Sequence, residues 1–255
     1  MSRLDREKYS VYNRSVVRLG KEVGMKRLLS YFTRFEWVLL LSSMAVTVAS
    51  HFLSGSEGLL SLIASLIGAV ALMLIAKGNP LGQALCIVFG ILYAIISYSY
   101  AYYGEMLTYV GMTVPMAVIA LIAWIRNPYG DSHAEVRVAR LTRWDAILLP
   151  SLSVAVTVVF YFVLDAFGTA NLLPSTLSVT TSFVAVYLTY RRSPFYALGY
   201  AANDIVLIVL WTLAALEDPS YLSVIVCFSM FLVNDLYGFV NWCRMKKKQK
   251  ERRYP

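Results

Sequence analysis

Histidine is almost absent from this chain, which has two, and cysteine is scarce, with three. Cys86, Cys227 and Cys243 are odd in number, fall in or at the end of apolar runs and lack metal-ligand spacing, so they read as small packing residues. His51 and His133 sit too far apart in depth to share a metal. A Gly-rich phosphate loop, a zinc-protease motif and a Ser nucleophile elbow are all missing, and no nucleophile and base pair can be assembled. The chain therefore does not read as an enzyme, and it implies no cofactor. Polar sequence is short as well. With 58% hydrophobic residues, the chain is too apolar for a soluble domain, and its connections are too short to carry a catalytic or output domain.

What it does contain is eight apolar runs, at Trp37–Leu53, Gly58–Ala76, Leu81–Tyr100, Leu107–Ile125, Ala146–Leu164, Thr176–Tyr190, Phe195–Leu216 and Tyr221–Trp242. A helix needs about 20 apolar residues to cross the hydrocarbon core, within a range of about 17 to 25. The pattern predicts an all-α integral membrane protein with eight crossings. The sixth is the short one. Its polar start, with Ser175, Thr176, Ser178, Thr180, Thr181 and Ser182, predicts a helix facing other helices or a cavity, since hydroxyls can bond back to their own backbone.

Lys and Arg are missing from every second connection. Those after crossings one, three, five and seven carry Glu57, Glu105, Asp165 and Glu217-Asp218, while all twenty-three basic residues lie on the other side or at the two termini. The positive-inside bias predicts both termini in the cytoplasm of a bacterial cytoplasmic membrane, and an even number of crossings requires the two termini to share a side. Anchoring at a lipid surface accounts for the net charge of +8 without a nucleic-acid surface. Within residues 1–36, Met25, Leu28, Leu29, Phe32 and Phe35 recur at helical spacing among Lys21, Lys26, Arg27 and Arg34, which favours an interfacial helix over a disordered basic tail.

An internal repeat is also present. Crossings two to four and six to eight share one plan: an apolar helix, a basic turn with proline, a helix with polar interruptions, an acidic outer turn, and a last helix ending in Trp and Arg. The turns are Lys77-Gly78-Asn79-Pro80 and Arg191-Arg192-Ser193-Pro194, and the ends are Trp124-Ile125-Arg126 and Trp242-Cys243-Arg244. Two three-helix units separated by one crossing must point the same way, which predicts a 3+1+3 core with a substrate site near the midplane between them. The chain then divides into a basic interfacial segment (1–36), an added crossing (37–57), a first unit (58–126), a cytoplasmic loop and linker helix (127–175), a second unit (176–243) and a basic tail (244–255).

Polar residues inside the crossings locate that site. Asn203-Asp204 and Asn234-Asp235 each lie about nine residues from the cytoplasmic end, or roughly 12 to 14 Å deep. An ionised carboxylate there costs at least a few kcal/mol unless it meets water, a partner or a substrate, and no Lys or Arg is available at that depth. Interhelical bonding for the amides and a protonated dry core for the carboxyls are the structural alternatives. Aromatic residues surround this level: Tyr200 and Trp211 beside Asn203, Tyr237 beside the Asn234, Gly238, Asn241 stripe, and Tyr93, Tyr98 and Tyr100 on the third crossing. A planar heterocycle held between rings and amides is the chemistry such a set suits. Trp124 and Trp242, next to the cytoplasmic boundary, read instead as members of an interface belt. The partners implied are a small molecule and membrane lipid, and a homo-oligomer is compatible with the sequence.

The run Val233-Asn234-Asp235-Leu236-Tyr237-Gly238-Phe239-Val240-Asn241-Trp242, together with Arg191-Arg192-x-Pro194 and Tyr200-x-x-Asn203, resembles the second half of the PnuC family of vitamin transporters. The resemblance implies a SWEET-like core of two parallel three-helix units. It also implies facilitated diffusion of nicotinamide riboside, thiamine, riboflavin or a nucleoside, with trapping by cytoplasmic phosphorylation. Asn203, Asn234, Tyr237 and Trp211 would contact substrate. The first half departs from the family: where nicotinamide riboside carriers have Asn, this chain has Phe89-Gly90 and Pro115-Met116, leaving Gln83 as the intramembrane amide there. A proton-coupled symporter using Asp204 or Asp235, and a receptor that binds without transport, are the other function classes.

Overall fold

A computed structural model describes residues 30–53, 59–99, 103–130, 134–169, 171–217 and 222–252. Most of the expected interfacial segment (residues 1–29), together with Glu57, Tyr100, His133 and Asp218, lies outside the described residues. The helices are α1 (Arg34–Leu53), α2 (Leu59–Ala76), α3 (Pro80–Ser99), α4 (Tyr103–Thr108), a π-helical turn (Tyr109–Thr113), α5 (Val114–Ile125), α6 (Asp145–Ala166), α7 (Leu172–Tyr190), α8 (Tyr196–Ala215) and α9 (Leu222–Glu251). Among the described residues, 8 helical spans are long and apolar enough to cross a membrane, with Met106–Ile125 acting as one.

Three boundaries differ from expectation, each for a local reason. The sixth crossing starts at Leu172 rather than Thr176, because Pro174 falls in the first turn, where no backbone N–H is needed and proline is tolerated. The fourth crossing is not one uninterrupted α-helix. Pro115 lacks an N–H and its ring crowds the carbonyl one turn back, and the wider π turn at Tyr109–Thr113 precedes it. The eighth crossing continues past Trp242 to Glu251, since Lys, Arg, Gln and Glu are good helix formers and the final lysines suit the negative end of the helix dipole. Residues 244–251 of the basic tail are thus helix.

The chain divides into two compact units, Met1–Leu41 and Ser42–Pro255. In the first, a capping box starts α1: the Thr33 N–H donates to Glu36 Oε2 at 2.6 Å, and the Glu36 N–H donates to Thr33 Oγ1 at 3.2 Å. Phe32 packs edge-on against Trp37 at 5.2 Å.

In the second unit, helix contacts run α2–α3–α5–α7–α8–α9 and return to α2, and α6 packs on α7. The two basic turns close with matching hydrogen bonds. Gly78 N–H reaches Ile75 O at 2.8 Å and Asn79 N–H reaches Leu74 O at 2.9 Å; Arg192 N–H reaches Thr189 O at 2.9 Å and Ser193 N–H reaches Leu188 O at 3.0 Å. Both turns pivot on a left-handed residue, Gly78 at φ 69° and Arg192 at φ 55°, as a Schellman closure requires. Glycine adopts this conformation without strain and Arg192 does not.

The tryptophans at the unit ends are not interface residues as expected. Trp124 and Trp242 are fully buried, with ring centroids 5.3 Å apart. The Trp124 indole N–H donates to Thr189 O at 2.9 Å, and the Trp242 indole N–H donates to Ile75 O at 2.9 Å. Each tryptophan therefore satisfies a terminal carbonyl of the opposite three-helix segment, which a residue aimed at lipid headgroups could not do.

Candidate functional site

The site is built on α8 and α9, neighbouring helices joined by a short connection. Asn203, Asp204, Asn234 and Asp235 are all buried, between 4% and 7% exposed. Their side chains nonetheless take different directions. The carboxyl groups of Asp204 and Asp235 face each other across the α8–α9 contact, close enough to interact. Asn203 turns to α7, where its Oδ1 accepts from Ser178 at 3.1 Å and Thr181 at 2.9 Å. Asn234 turns to α1, where its Nδ2 donates to Ser43 Oγ at 3.0 Å and also to Met230 O at 2.8 Å. The four groups thus form a carboxyl pair flanked by two amides, each held by its own neighbour.

Other elements complete the surroundings. Cys86 of α3 and Tyr196 and Tyr200 of α8 lie within electrostatic reach of Asp235. Gln83 sits one turn before Cys86 on α3 and is 3% exposed. Its Nε2 donor has no protein partner, and neither has the Oδ2 acceptor of Asp204. Leaving a buried polar atom unpaired costs about 1 to 3 kcal/mol, so an orphaned donor on α3 and an orphaned acceptor on α8 mark where water or a ligand belongs. Such an arrangement can hold a solute that carries hydroxyl groups or a positive charge.

The remaining expected residues are spread out. Tyr93 bonds Ser65 at 3.1 Å and packs with Phe89 at 4.6 Å and Tyr109 at 5.5 Å, an aromatic cluster of the first three-helix segment. Tyr200 lies beside Tyr196 at 6.1 Å. Trp211 and Tyr237 are half-buried. Asn241 belongs to the far end of α9, where its amide donates to Ala76 O at 2.8 Å.

Sequence reasoning missed two residues, Ser43 and Asp145. Ser43 carries no signal beyond a hydroxyl in an apolar run. Ser178 and Thr181 were legible as a polar helix start, and Thr176 and Thr180 do bond back to their own helix at 2.8 and 2.9 Å. Asp145 is the largest omission. It accepts from Thr142 Oγ1 at 2.7 Å and Tyr187 at 2.7 Å and pairs with Arg191 at 2.7 Å, tying the start of α6 to the second basic turn. The Thr142-x-x-Asp145 capping spacing was its signal.

Eight helical spans among the described residues, with buried carboxyls and amides inside two of them, are the build of a multi-pass membrane protein. The chain belongs to the nicotinamide mononucleotide transporter family, whose model matches residues 58–244, from just before α2 into the extended part of α9. Curated relatives include the nicotinamide riboside transporter PnuC of Neisseria mucosa, 27% identical over 88% of this chain and 86% of that protein. The protein of the same description from Haemophilus influenzae is 24% identical over 74% and 81%. Among solved structures, the crystal structure of the vitamin B3 transporter PnuC superposes with a TM-score of 0.72 at 25% identity, covering 86% of this chain and 94% of that one.

Proposed function

We propose that this protein carries nicotinamide riboside, or a closely related nucleoside-like vitamin, across the bacterial cytoplasmic membrane by facilitated diffusion, with trapping by phosphorylation in the cytoplasm. The observation that carries the reading is the buried Asp204–Asp235 pair with an unpaired acceptor at Asp204 Oδ2, in a chain whose relatives are described as nicotinamide riboside transporters. Nicotinamide riboside is a pyridinium cation bearing ribose hydroxyls. A carboxylate serves it as counterion or as hydroxyl acceptor, and Gln83 supplies a donor from the opposite segment. Asn203 and Asn234 flank the ring, with Tyr200, Trp211 and Tyr237 as aromatic faces.

The transport core is two parallel three-helix repeats, α2 to α5 and α7 to α9, with α6 as linker and α1 in front. The matching turns and the exchanged tryptophan bonds support that reading. Both termini and the 127–144 loop face the cytoplasm, because the cations gather there. Labelling of single cysteines in intact cells should reach Gly168→Cys from outside and fail at Gly130→Cys.

A second reading, a proton-coupled symporter, draws on the same pair, because carboxyls inside transport helices commonly serve as proton relays. Thermal-shift measurement of the purified protein against nicotinamide riboside, thiamine, riboflavin and common nucleosides tests the substrate. Nicotinamide riboside should raise the melting temperature most. A shift only with another of these compounds, or with none, would overturn the assignment.

A further inference from the structure

The segment between α5 and α6 crosses under both basic turns. Val136 N–H donates to Gly78 O at 2.9 Å, and three residues on Ala139 N–H donates to Arg192 O at 3.0 Å. These two carbonyls belong to the two left-handed residues that occupy the same position in the matching turns. Between these anchors the strap is gripped by Gln249 of α9. The Gln249 Oε1 accepts from Val138 N–H at 2.9 Å, and its Nε2 donates to Val136 O at 3.0 Å and Glu135 Oε1 at 2.8 Å. Gln249 is 8% exposed although its neighbours Lys248 and Lys250 are exposed. One amide side chain thus satisfies three strap groups, and it does so from the helical extension that carries α9 beyond the last apolar residues.

Next to the strap the two segments meet in an apolar plug. Val136, Trp124 and Trp242 are fully buried, with Tyr196 at 1% and Met245 at 7%, in one apolar cluster. Nothing the size of a vitamin passes while these contacts and the exchanged tryptophan bonds persist. A path at this end requires the turns to part, and parting them stretches the strap that bonds to both.

We infer that residues 135–139 and Gln249 form a latch that holds this end of the transport path shut, with Gln249 as its positioning residue. The inference rests on the transport reading above but not on the identity of the substrate or on orientation. The charges facing it fit a strap held by geometry rather than by an ion pair. Burial pulls the Arg192 guanidinium below its ordinary pKa, and the nearby Arg191 and Arg137 charges add to that.

The test uses no ligand. In full-length protein with Cys86, Cys227 and Cys243 changed to alanine, a single cysteine replaces Ala201, which is 5% exposed and one turn from the plug residue Ala197. Its reaction with a membrane-impermeant thiol reagent is followed from the face on which Gly130→Cys reacts and from the opposite face. Gln249→Leu should speed labelling from the Gly130 face by about fivefold or more while labelling from the other face slows, the signature of a shifted two-state equilibrium. Gln249→Asn, which keeps the amide on a shorter stem, should fall between, and it serves alone if the leucine variant does not reach the membrane. Equal rates in variant and parent, or faster labelling from both faces as general loosening produces, would overturn the latch.

Discussion

The two three-helix segments agree at one end and differ in the middle. At the loop end their turns share bond pattern and left-handed pivot, and each segment's tryptophan caps the other. In the middle, the second segment has amides, carboxyls and hydroxyls, while the first has an aromatic cluster at Phe89, Tyr93 and Tyr109 with Gln83 as its amide. Chain reversal allows few solutions, so the turns coincide, whereas a binding centre needs different groups on its two sides and is free to diverge. The likeness therefore marks scaffold, and on the transport reading proposed above the difference marks where a substrate would be read.

The largest effect should come from breaking the likeness. Trp124→Ala and Trp242→Ala each empty a fully buried site and remove one of the two hydrogen bonds to a turn carbonyl, and each should cost about 3 to 5 kcal/mol, read as thermal unfolding in detergent. The two losses should be similar. A large loss in one variant and none in the other would show that the caps are not equivalent.

A smaller effect, on binding more than on folding, should follow from Asn203→Leu and Asn234→Leu. Thr181 also bonds its own helix through Ser178 O at 3.0 Å, so it keeps a partner when Asn203 is lost. Removing a ligand-bonding amide should weaken nicotinamide riboside binding by about 1 to 3 kcal/mol, measured by titration of the purified variants. Unchanged affinity in both would return these residues to helix packing. Smallest of all, Tyr93→Phe removes the hydroxyl that bonds Ser65 and should lower stability by about 1 kcal/mol, with less effect on binding than either asparagine change. A Tyr93→Phe variant that binds worse than Asn203→Leu would move the reading centre toward the first segment.

Much of this was legible in the chain. Apolar length predicted the spans, since crossing a bilayer leaves little freedom in it. The two basic turns, alike in sequence, close with the same bond pattern. The Trp124 and Trp242 reading failed because an indole near a boundary suits a lipid interface and a buried cap equally well by sequence, and only the exchange of carbonyl partners separates them. For the four polar residues of α8 and α9, burial was readable and direction was not. Asn203 and Asn234 sit next to their aspartates, but adjacent helical positions point about 100° apart, so each amide meets a different helix. Gln249 was hidden inside a lysine-rich tail, because its burial depends on a loop more than a hundred residues away in sequence.

Proteoliposomes containing nicotinamide riboside test the role of Asp204 and Asp235 most directly. If the pair binds substrate without coupling it to protons, counterflow proceeds without a pH gradient, and Asp204→Asn and Asp235→Asn reduce counterflow and net uptake together, each by about tenfold. Uphill accumulation of unmodified substrate driven by inward proton flow, abolished by one of these variants while its exchange persists, would contradict it.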